Sequence, residues 1–468
     1  MSKLVTTPPK GSRDFLPRDV RQREYVTRII RDVYQSHGFS PLETPAFERL
    51  ETLLGKYGEE GDQLLFKILL RGEPLVGGIR AASEHLTKPG GLVSGRSGET
   101  APGAEALLAD LGLRYDLTVP LARVYAQYQG KLPAVFKRFQ IQPVWRGDTP
   151  GRGRFREFYQ CDVDVVGSTS NVVDAEVLGA AAECYIRLGF SDVKLRVNHR
   201  ALLRAIVEHC EIAPQLEAAA IVEIDKLDKV GADGVTKGLV GRGIEESSAA
   251  KLVALVTQGA DLPSLRRSLV DHAGAQRALD EIERVFDLAS VTAAAPHMQF
   301  DISLARGLGY YTGCVFEAAL PDLAGSVGGG GRYDGLIGMF SGKDVPACGF
   351  SLGLERIMVL LEERKLFPKD IDPVHALLAP VDESGLKAAL GLAVQLRAAG
   401  LRIDLLPKAS QPGKLRKQAD DQAIGAAVWI EPGQTTVASV WRKSDGATHK
   451  DQALPELTEL LRLGAEAK

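Results

Sequence analysis

The sequence predicts an α+β protein: an antiparallel sheet flanked by helices, broken by a helical insertion and followed by a smaller C-terminal α/β unit. Three observations carry that reading. Two runs alternate at period two around the turn GDTPGRG. The first sets Val135, Phe139, Ile141 and Trp145 opposite Arg138, Gln140, Gln142 and Arg146. The second, from Arg154 onward, sets Phe155, Tyr159, Cys161, Val163 and Val165 opposite Arg154, Arg156, Phe158, Gln160, Asp162 and Asp164. Alternation of this kind gives each strand one packed and one polar face. Residues 200–295 instead carry apolar side chains at helical spacing, and beyond the proline-punctuated FPKDIDP (367–373) strand and helix patterns alternate.

In chain order, residues 8–17 form an extended entry. Val26, Ile29, Ile30, Val33 and Tyr34 then keep the i, i+3, i+4, i+7 spacing of a helix that His37-Gly38 ends. FSPLETPAFE reads as a proline-edged strand. Residues 68–113 contain KPGGLVSGRSGETAPGAE, rich in Gly and Ser, and read as an insertion or lid. After the hairpin, a helix over 173–188 and a strand over 193–198 lead into the helical stretch. FDISLARGLGYYTGCVFE reads as an aromatic strand with a Gly-rich bend, and SVGGGGRYDGLIGMF as a strand-to-helix transition. The glycine run fits neither common nucleotide-phosphate loop, so close approach of backbone to a small substrate explains it better. ACGFSLGLERIMVLL is a strand entering a helix. The C-terminal unit reads as strand HALLAPV, helix 383–399, strand LRIDLLP, helix 414–423, strands AIGAAVWI and TTVASVWR, and a helix from Pro455.

Composition narrows the class. A chain of 468 residues, 45% hydrophobic and 25% charged, supports two or three domains with cores of their own. Its net charge of −3 argues against indiscriminate coating of DNA, although a local basic patch could still hold tRNA phosphates. Cys161, Cys184, Cys210, Cys314 and Cys348 are scattered with no CxxC pair, which suggests neither a zinc site nor a disulfide framework. The eight histidines include no HExxH, so no metal site is assigned, and Ser303 and Ser351 lack a GxSxG context. No stretch has the apolar length of a signal peptide or membrane span, so a soluble, cytoplasmic chain without a membrane partner is expected.

The hairpin WRGDTPGRGRFREFYQCDVDVVG, with its Arg, an acidic residue two positions on, a short turn and GRFREF-Q-x-x-x-D, resembles motif 2 of the class II aminoacyl-tRNA synthetases. Within that class it is similar to the histidyl-tRNA synthetase family. PPKGSRDFLP and the segment around Pro45 resemble the family's opening and its motif 1, which implies a homodimer. RYDLTVPLAR resumes the likeness, RGLGYYTG resembles the family's own signature, with Gly309 where Asp is frequent, and ACGFSLGLER resembles motif 3. The resemblance implies a catalytic domain in two parts, residues 1–199 (with the insertion at about 68–113) and 296–366. Between them lies a helical insertion domain, 200–295. A linker, 367–373, leads to an anticodon-binding-type domain, 374–468, in which WIEPG at Trp429 replaces the usual Gly-Glu-x-Glu.

The activity this implies is that of a histidine–tRNA ligase: L-histidine and ATP give histidyl-adenylate and pyrophosphate, then histidine passes to the 3′ end of its tRNA. A carboxylate attacking the α-phosphorus is already an anion and needs no side-chain base; it needs alignment and cations where charge develops. By resemblance, Arg306 and Arg146 hold the carboxylate and α-phosphate, and Arg356 and Arg154 take the β,γ-phosphates with Mg2+. Phe158 faces adenine and Asp148 accepts from its amino group. Asp116, Leu117, Thr118, Gln160, Asp164, Tyr310 and Tyr311, with Arg146 and Arg306, surround histidine. Two other readings stay open: a histidine-sensing regulatory subunit, which normally lacks the C-terminal domain and the ATP arginines, and an enzyme activating histidine outside translation.

Overall fold

The computed structural model describes residues 4–87, 107–257, 261–305, 310–368, 371 and 374–466. The chain divides into two compact units, Met1–Phe367 and Pro368–Lys468.

The helix Pro17–Ser36 opens with proline at its first turn, and the Asp19 carboxylate accepts the Leu16 N–H at 2.9 Å. It ends at His37, beyond which Gly38 takes a φ of 76°. FSPLETPAFE is not one strand but two short ones in different sheets, β1 (Ser40–Pro41) and β2 (Phe47–Arg49). Pro41 and Pro45 lack ladder donors, and the carbonyls of Thr44 and Pro45 turn instead to the Arg114 guanidinium, at 2.6 and 3.0 Å. The expected lid is also more regular than its composition suggests. It begins with β3 (Lys67–Leu69) and a helix, Glu73–Thr87, and ends with β4 (Ala109–Leu113), which lies between β2 and β3. Its Gly/Ser-rich centre, 88–106, lies outside the described residues.

The strands β5 (Phe136–Trp145), β6 (Glu157–Val166), β7 (Lys194–His199), β8 (Met298–Phe300), β9 (Cys314–Ala319), β10 (Gly328–Arg332) and β11 (Ala347–Gly353) join β1 in one eight-stranded sheet. Its order is β1-β5-β6-β11-β10-β9-β7-β8, antiparallel except at the β1/β5 and β7/β8 pairs. β6 starts at Glu157 rather than Arg154 because Gly151 and Arg154 exchange backbone hydrogen bonds in a tight turn, with Gly153 at φ 66°. The odd residues of the hairpin, among them Phe139, Cys161, Val163 and Val165, pack with Phe316 and Phe350 against three helices, Pro17–Ser36, Asn171–Arg187 and Leu354–Glu363. Full burial of each such aliphatic side chain contributes roughly 1.5–3 kcal/mol. That packed face leaves the polar face of the sheet free to be something other than core.

Beyond β7 the described residues form six helices, from Arg200–His209 to Ala273–Ala289, around a separate core that includes Leu202, Ile206, Ile221, Leu239, Leu252, Leu279 and Ile282. It re-enters the sheet at β8, beside the strand it left.

In the second unit, β12 (Ala376–Pro380), β13 (Ile403–Leu405), β14 (Ala426–Ile430), β15 (Val437–Arg442) and β16 (Thr448–Ala453) are ordered β13-β12-β14-β15-β16. The first three are parallel and the last two antiparallel. Helices Leu386–Ala398 and Leu454–Glu466 cover one face, and Pro412–Asp421 covers the other. β16 carries no apolar alternation, because none of its side chains is buried. Among the described residues, no helix is long and apolar enough to cross a membrane.

Candidate active site

Register places the polar side chains of three neighbouring strands in rows. Arg138, Asp164 and Gly349 face one another across β5, β6 and β11; Gln140, Asp162 and Ser351 form the next row, then Gln142, Gln160 and Gly353. Because side chains alternate along each strand, all these rows share one face, and the Val144–Phe158 pair continues them.

The first row is the deepest. Arg138 is wholly buried, with Nη2 2.8 Å from Asp164 Oδ2 and 3.9 Å from Asp162 Oδ2. It also donates to Gln140 Oε1 and to the Leu117 carbonyl, at 3.1 and 3.3 Å. The hydroxyl of Tyr333 donates to Asp164 Oδ1 at 2.5 Å. Gly349 makes room for that carboxylate, since a Cβ there would lie 1.9 Å from Asp164 Oδ1. In the glycine run of β10, a Cβ on Gly330 would meet the Gly349 carbonyl at 1.9 Å and one on Gly331 the Cys314 carbonyl at 2.5 Å. Close strand-to-strand approach is thus a reason in its own right for glycine at 330 and 331.

Asp116 arrives from the segment before the helix Thr118–Tyr128. It accepts from the Val119 N–H at 3.0 Å, from Tyr57 Oη at 3.1 Å and from Tyr310 Oη at 3.4 Å. Leu117 is buried, and Thr118 opens the helix two residues beyond Asp116. Tyr311 packs on Tyr310 with ring centres 5.0 Å apart, and Tyr333 lies 6.1 Å from Tyr310. Burial pushes the Asp116 and Asp164 carboxyls above their usual range, against the pull of the nearby guanidiniums and hydrogen bonds. Asp162 is pushed up to about 7, chiefly by burial and opposed by Arg138. Three buried carboxylates thus face one wholly buried guanidinium, an arrangement that favours a cationic ligand. Asp162 Oδ1 and Gln160 Oε1 are buried acceptors with no hydrogen-bond partner among the described residues.

At the turn end of the hairpin the character changes. Arg146 Nε donates to the Tyr115 carbonyl at 2.9 Å, and its guanidinium stacks between Tyr115 and Phe158, 4.3 and 5.2 Å from their ring centres. Arg154 is half exposed and 3.7 Å from Asp148. Arg356, on the helix after β11, donates to the Ser326 carbonyl and borders Gly153 of the turn. Behind the hairpin, Gly11 accepts the Arg156 N–H at 2.7 Å, Arg13 stacks 3.9 Å from the Phe155 ring centre, and Glu355 accepts the Tyr159 N–H at 2.9 Å while pairing with Arg23. These contacts hold the turn from the packed side.

The structure therefore brings Asp116, Leu117, Thr118, Gln160, Asp164, Tyr310 and Tyr311 to one end of a polar face, with Arg146 and Phe158 continuing it and Asp148, Arg154 and Arg356 around the turn. Arg306 and Gly309 lie outside the described residues. Sequence reasoning passed over Arg138, Asp162, Tyr57, Ser351 and Tyr333 as site residues. Arg138 and Asp162 carried a usable signal, since both stand on the polar face of the alternating runs. Ser351 and Tyr333 are visible only once distant strands are in register, and Tyr57 only once its segment packs on Asp116.

Known proteins resemble this chain in sequence and in fold. The family model described as "Histidyl-tRNA synthetase" matches residues 11–80 and 108–357, so the departure from the family is narrower than the expected 68–113. The histidine–tRNA ligase of Gloeobacter violaceus is 37% identical over 96% of each chain, and that of Leifsonia xyli subsp. xyli is 40% identical over 85% of this chain and 89% of its own. The crystal structure of histidyl-tRNA synthetase from Nostoc sp. PCC 7120 superposes with a TM-score of 0.78 at 28% identity, covering 98% of this chain and 99% of that one. By sequence along most of its length, and by fold, this chain belongs to the histidyl-tRNA synthetase family.

Proposed function

We propose that the chain is a histidine–tRNA ligase that activates L-histidine with the magnesium salt of ATP and transfers it to the 3′ end of its tRNA. The observation that carries the reading is the acceptor-rich floor around Asp116, Asp162 and Asp164, which ends at Arg146 beside Phe158. In the pose this suggests, the imidazole lies at the Asp164 end among Tyr310, Tyr311 and Tyr333, and the ammonium beside Gln160 and Asp116. The carboxylate then lies at Arg146, adenine on Phe158 with its amino group toward Asp148, and the phosphates between Arg154 and Arg356. Magnesium enters with the nucleotide as its counter-ion. Arg306 is proposed as the second cation on the α-phosphate. A floor built to receive N–H donors rejects side chains that leave its carboxylates unpaired by roughly 10⁴- to 10⁵-fold.

Residues 200–295 serve in this reading as an insertion domain near the tRNA, and residues 374–468 as the anticodon-binding-type domain. The exposed Phe47 and Leu69 on the β2-β4-β3 sheet support a homodimer. Retention of Arg146 and Arg356, together with the C-terminal unit, favours an enzyme over a histidine-sensing regulatory subunit. The test is ATP–pyrophosphate exchange with each amino acid, followed by charging of total tRNA. Exchange with histidine and charging of one tRNA are expected. Loss of the first would remove the enzyme reading, and exchange without charging would place the activity outside translation.

A further inference from the structure

The ladder between β5 and β6 stops at the Trp145–Glu157 pair, yet the residues assigned to the nucleotide include three that stand just beyond it, Arg146, Asp148 and Arg154. Backbone outside a ladder has to find its partners elsewhere. The Gly147 N–H finds the Leu64 carbonyl at 2.8 Å, and Gly151 and Arg154 find each other. Asp148 is tied to Arg156: its carbonyl accepts from Arg156 Nε at 3.2 Å, while the Arg156 carbonyl accepts the Arg146 N–H at 2.9 Å. Arg156 in turn is held from outside the hairpin. Its N–H donates to the Gly11 carbonyl at 2.7 Å, and its Nη1 to the Lys10 carbonyl at 3.5 Å. The entry segment fits closely there. Gly11 has a φ of 87°, and a Cβ on it would lie 2.7 Å from Arg156 Cγ and 3.0 Å from Pro150 Cγ. Two residues on, the Arg13 guanidinium lies over Phe155 and Phe15, 3.9 and 4.7 Å from their ring centres, and Arg23 covers Phe15 and Tyr159 at 4.1 and 4.6 Å. Phe155 and Tyr159 flank Arg156 and Phe158 in the chain, so stacking behind the hairpin holds the backbone that presents the front.

We infer that residues 10–15 are a brace for the adenine end of the site, and that Arg13 and Arg156 are positioning residues that act through Asp148 without touching ATP. The inference rests on the histidine-activating reading above, from which Asp148 takes its role as acceptor for the adenine amino group. A brace that sets Asp148 is felt by one group of the nucleotide. Displacing the Asp148 backbone weakens a hydrogen bond whose strength falls steeply with misalignment. The phosphates, met by Arg154 and Arg356, and the amino acid at the deep end keep their own partners.

The experiment uses the full chain in histidine-dependent pyrophosphate exchange, with ATP compared against purine riboside triphosphate, which lacks the 6-amino group. The wild-type chain is expected to favour ATP by about tenfold or more in KM. Arg156→Ala is expected to raise the ATP KM by about tenfold while leaving the KM of the analogue and of histidine within about twofold, so that the preference for ATP disappears. Gly11→Ala, whose methyl pushes Arg156 aside, is expected to act in the same direction. Its effect shrinks in the Arg156→Ala background, because the atom the methyl meets is gone. Arg13→Ala, on the outer side of the brace, is expected to raise the ATP KM by roughly threefold with the same selectivity, and it carries the test if Gly11→Ala or Arg156→Ala does not fold. An ATP KM unchanged by Arg13→Ala and Arg156→Ala, an equal rise for the analogue, or a parallel rise in the histidine KM would each overturn the brace. Absence of histidine-dependent exchange in the wild-type chain would instead remove the reading on which the brace rests.

Discussion

Arg138 and Arg154 belong to the same hairpin, yet the first is wholly buried between two carboxylates and the second is half exposed beside one. At the deep end, charge is fixed by strand register and by tyrosine hydroxyls from other segments, so its geometry precedes any ligand. Around the turn, Arg154 and Arg356 hold a partly exposed carboxylate and a backbone carbonyl, partners that phosphate oxygens can replace at little cost. Under the proposed function, the difference makes one face a rigid selector at its deep end and an adaptable clamp around the turn. A small amino acid must be discriminated by fixed groups, whereas a polyphosphate tail needs only cations that can move to it.

Cutting the deep end should have the largest effect. Arg138→Leu leaves Asp162 and Asp164 buried without their cation and is expected to cost about 3–5 kcal/mol in urea unfolding; a loss below about 1 kcal/mol would mean the carboxyls simply take up protons. Arg146→Ala, between the two ends, is expected to lower exchange by about 10²- to 10³-fold with little change in unfolding. Arg356→Ala is expected to raise the ATP KM by about tenfold or more and leave the histidine KM alone; a change in both would merge the two regions. The Asp162 titration sharpens the contrast from the other direction. Its folded pKa of about 7 lies above the ~3.9 of an unfolded Asp, so between those values the folded state binds more protons and loses stability as pH rises. Relative to wild type, Asp162→Asn should therefore gain stability from about pH 5 to pH 7, by up to about 1.4 kcal/mol per unit, and level off above; a flat difference would mean Asp162 stays ionised. Arg154→Ala, the smallest change, is expected to alter the ATP KM only a few-fold.

The sequence made the two faces of the hairpin legible because period two is a local property. Depth was not legible. Alternation put Arg138 and Arg154 on one polar face, but burial of the first depends on Asp164, Leu117 and Gln140 closing around it. Tyr333 and Ser351 reach the site only through the register of β11 against β6 and the turn after β10, which no single segment encodes. Proline explains the misreading of FSPLETPAFE: the residues have strand character, yet two of them cannot donate to a ladder. β16 escaped because a strand with no buried side chain carries no hydrophobic signal.

Gly349 carries no functional group, yet the position of the Asp164 carboxylate depends on what it lacks. Under random mutagenesis it should behave like an active-site residue. Even alanine would push the carboxylate off the Tyr333 hydroxyl, while the protein could still fold. A screen scored by activity would rank it with the arginines, and one scored by abundance would pass it over. The gap between those two maps is a genetic signature of a site shaped by backbone.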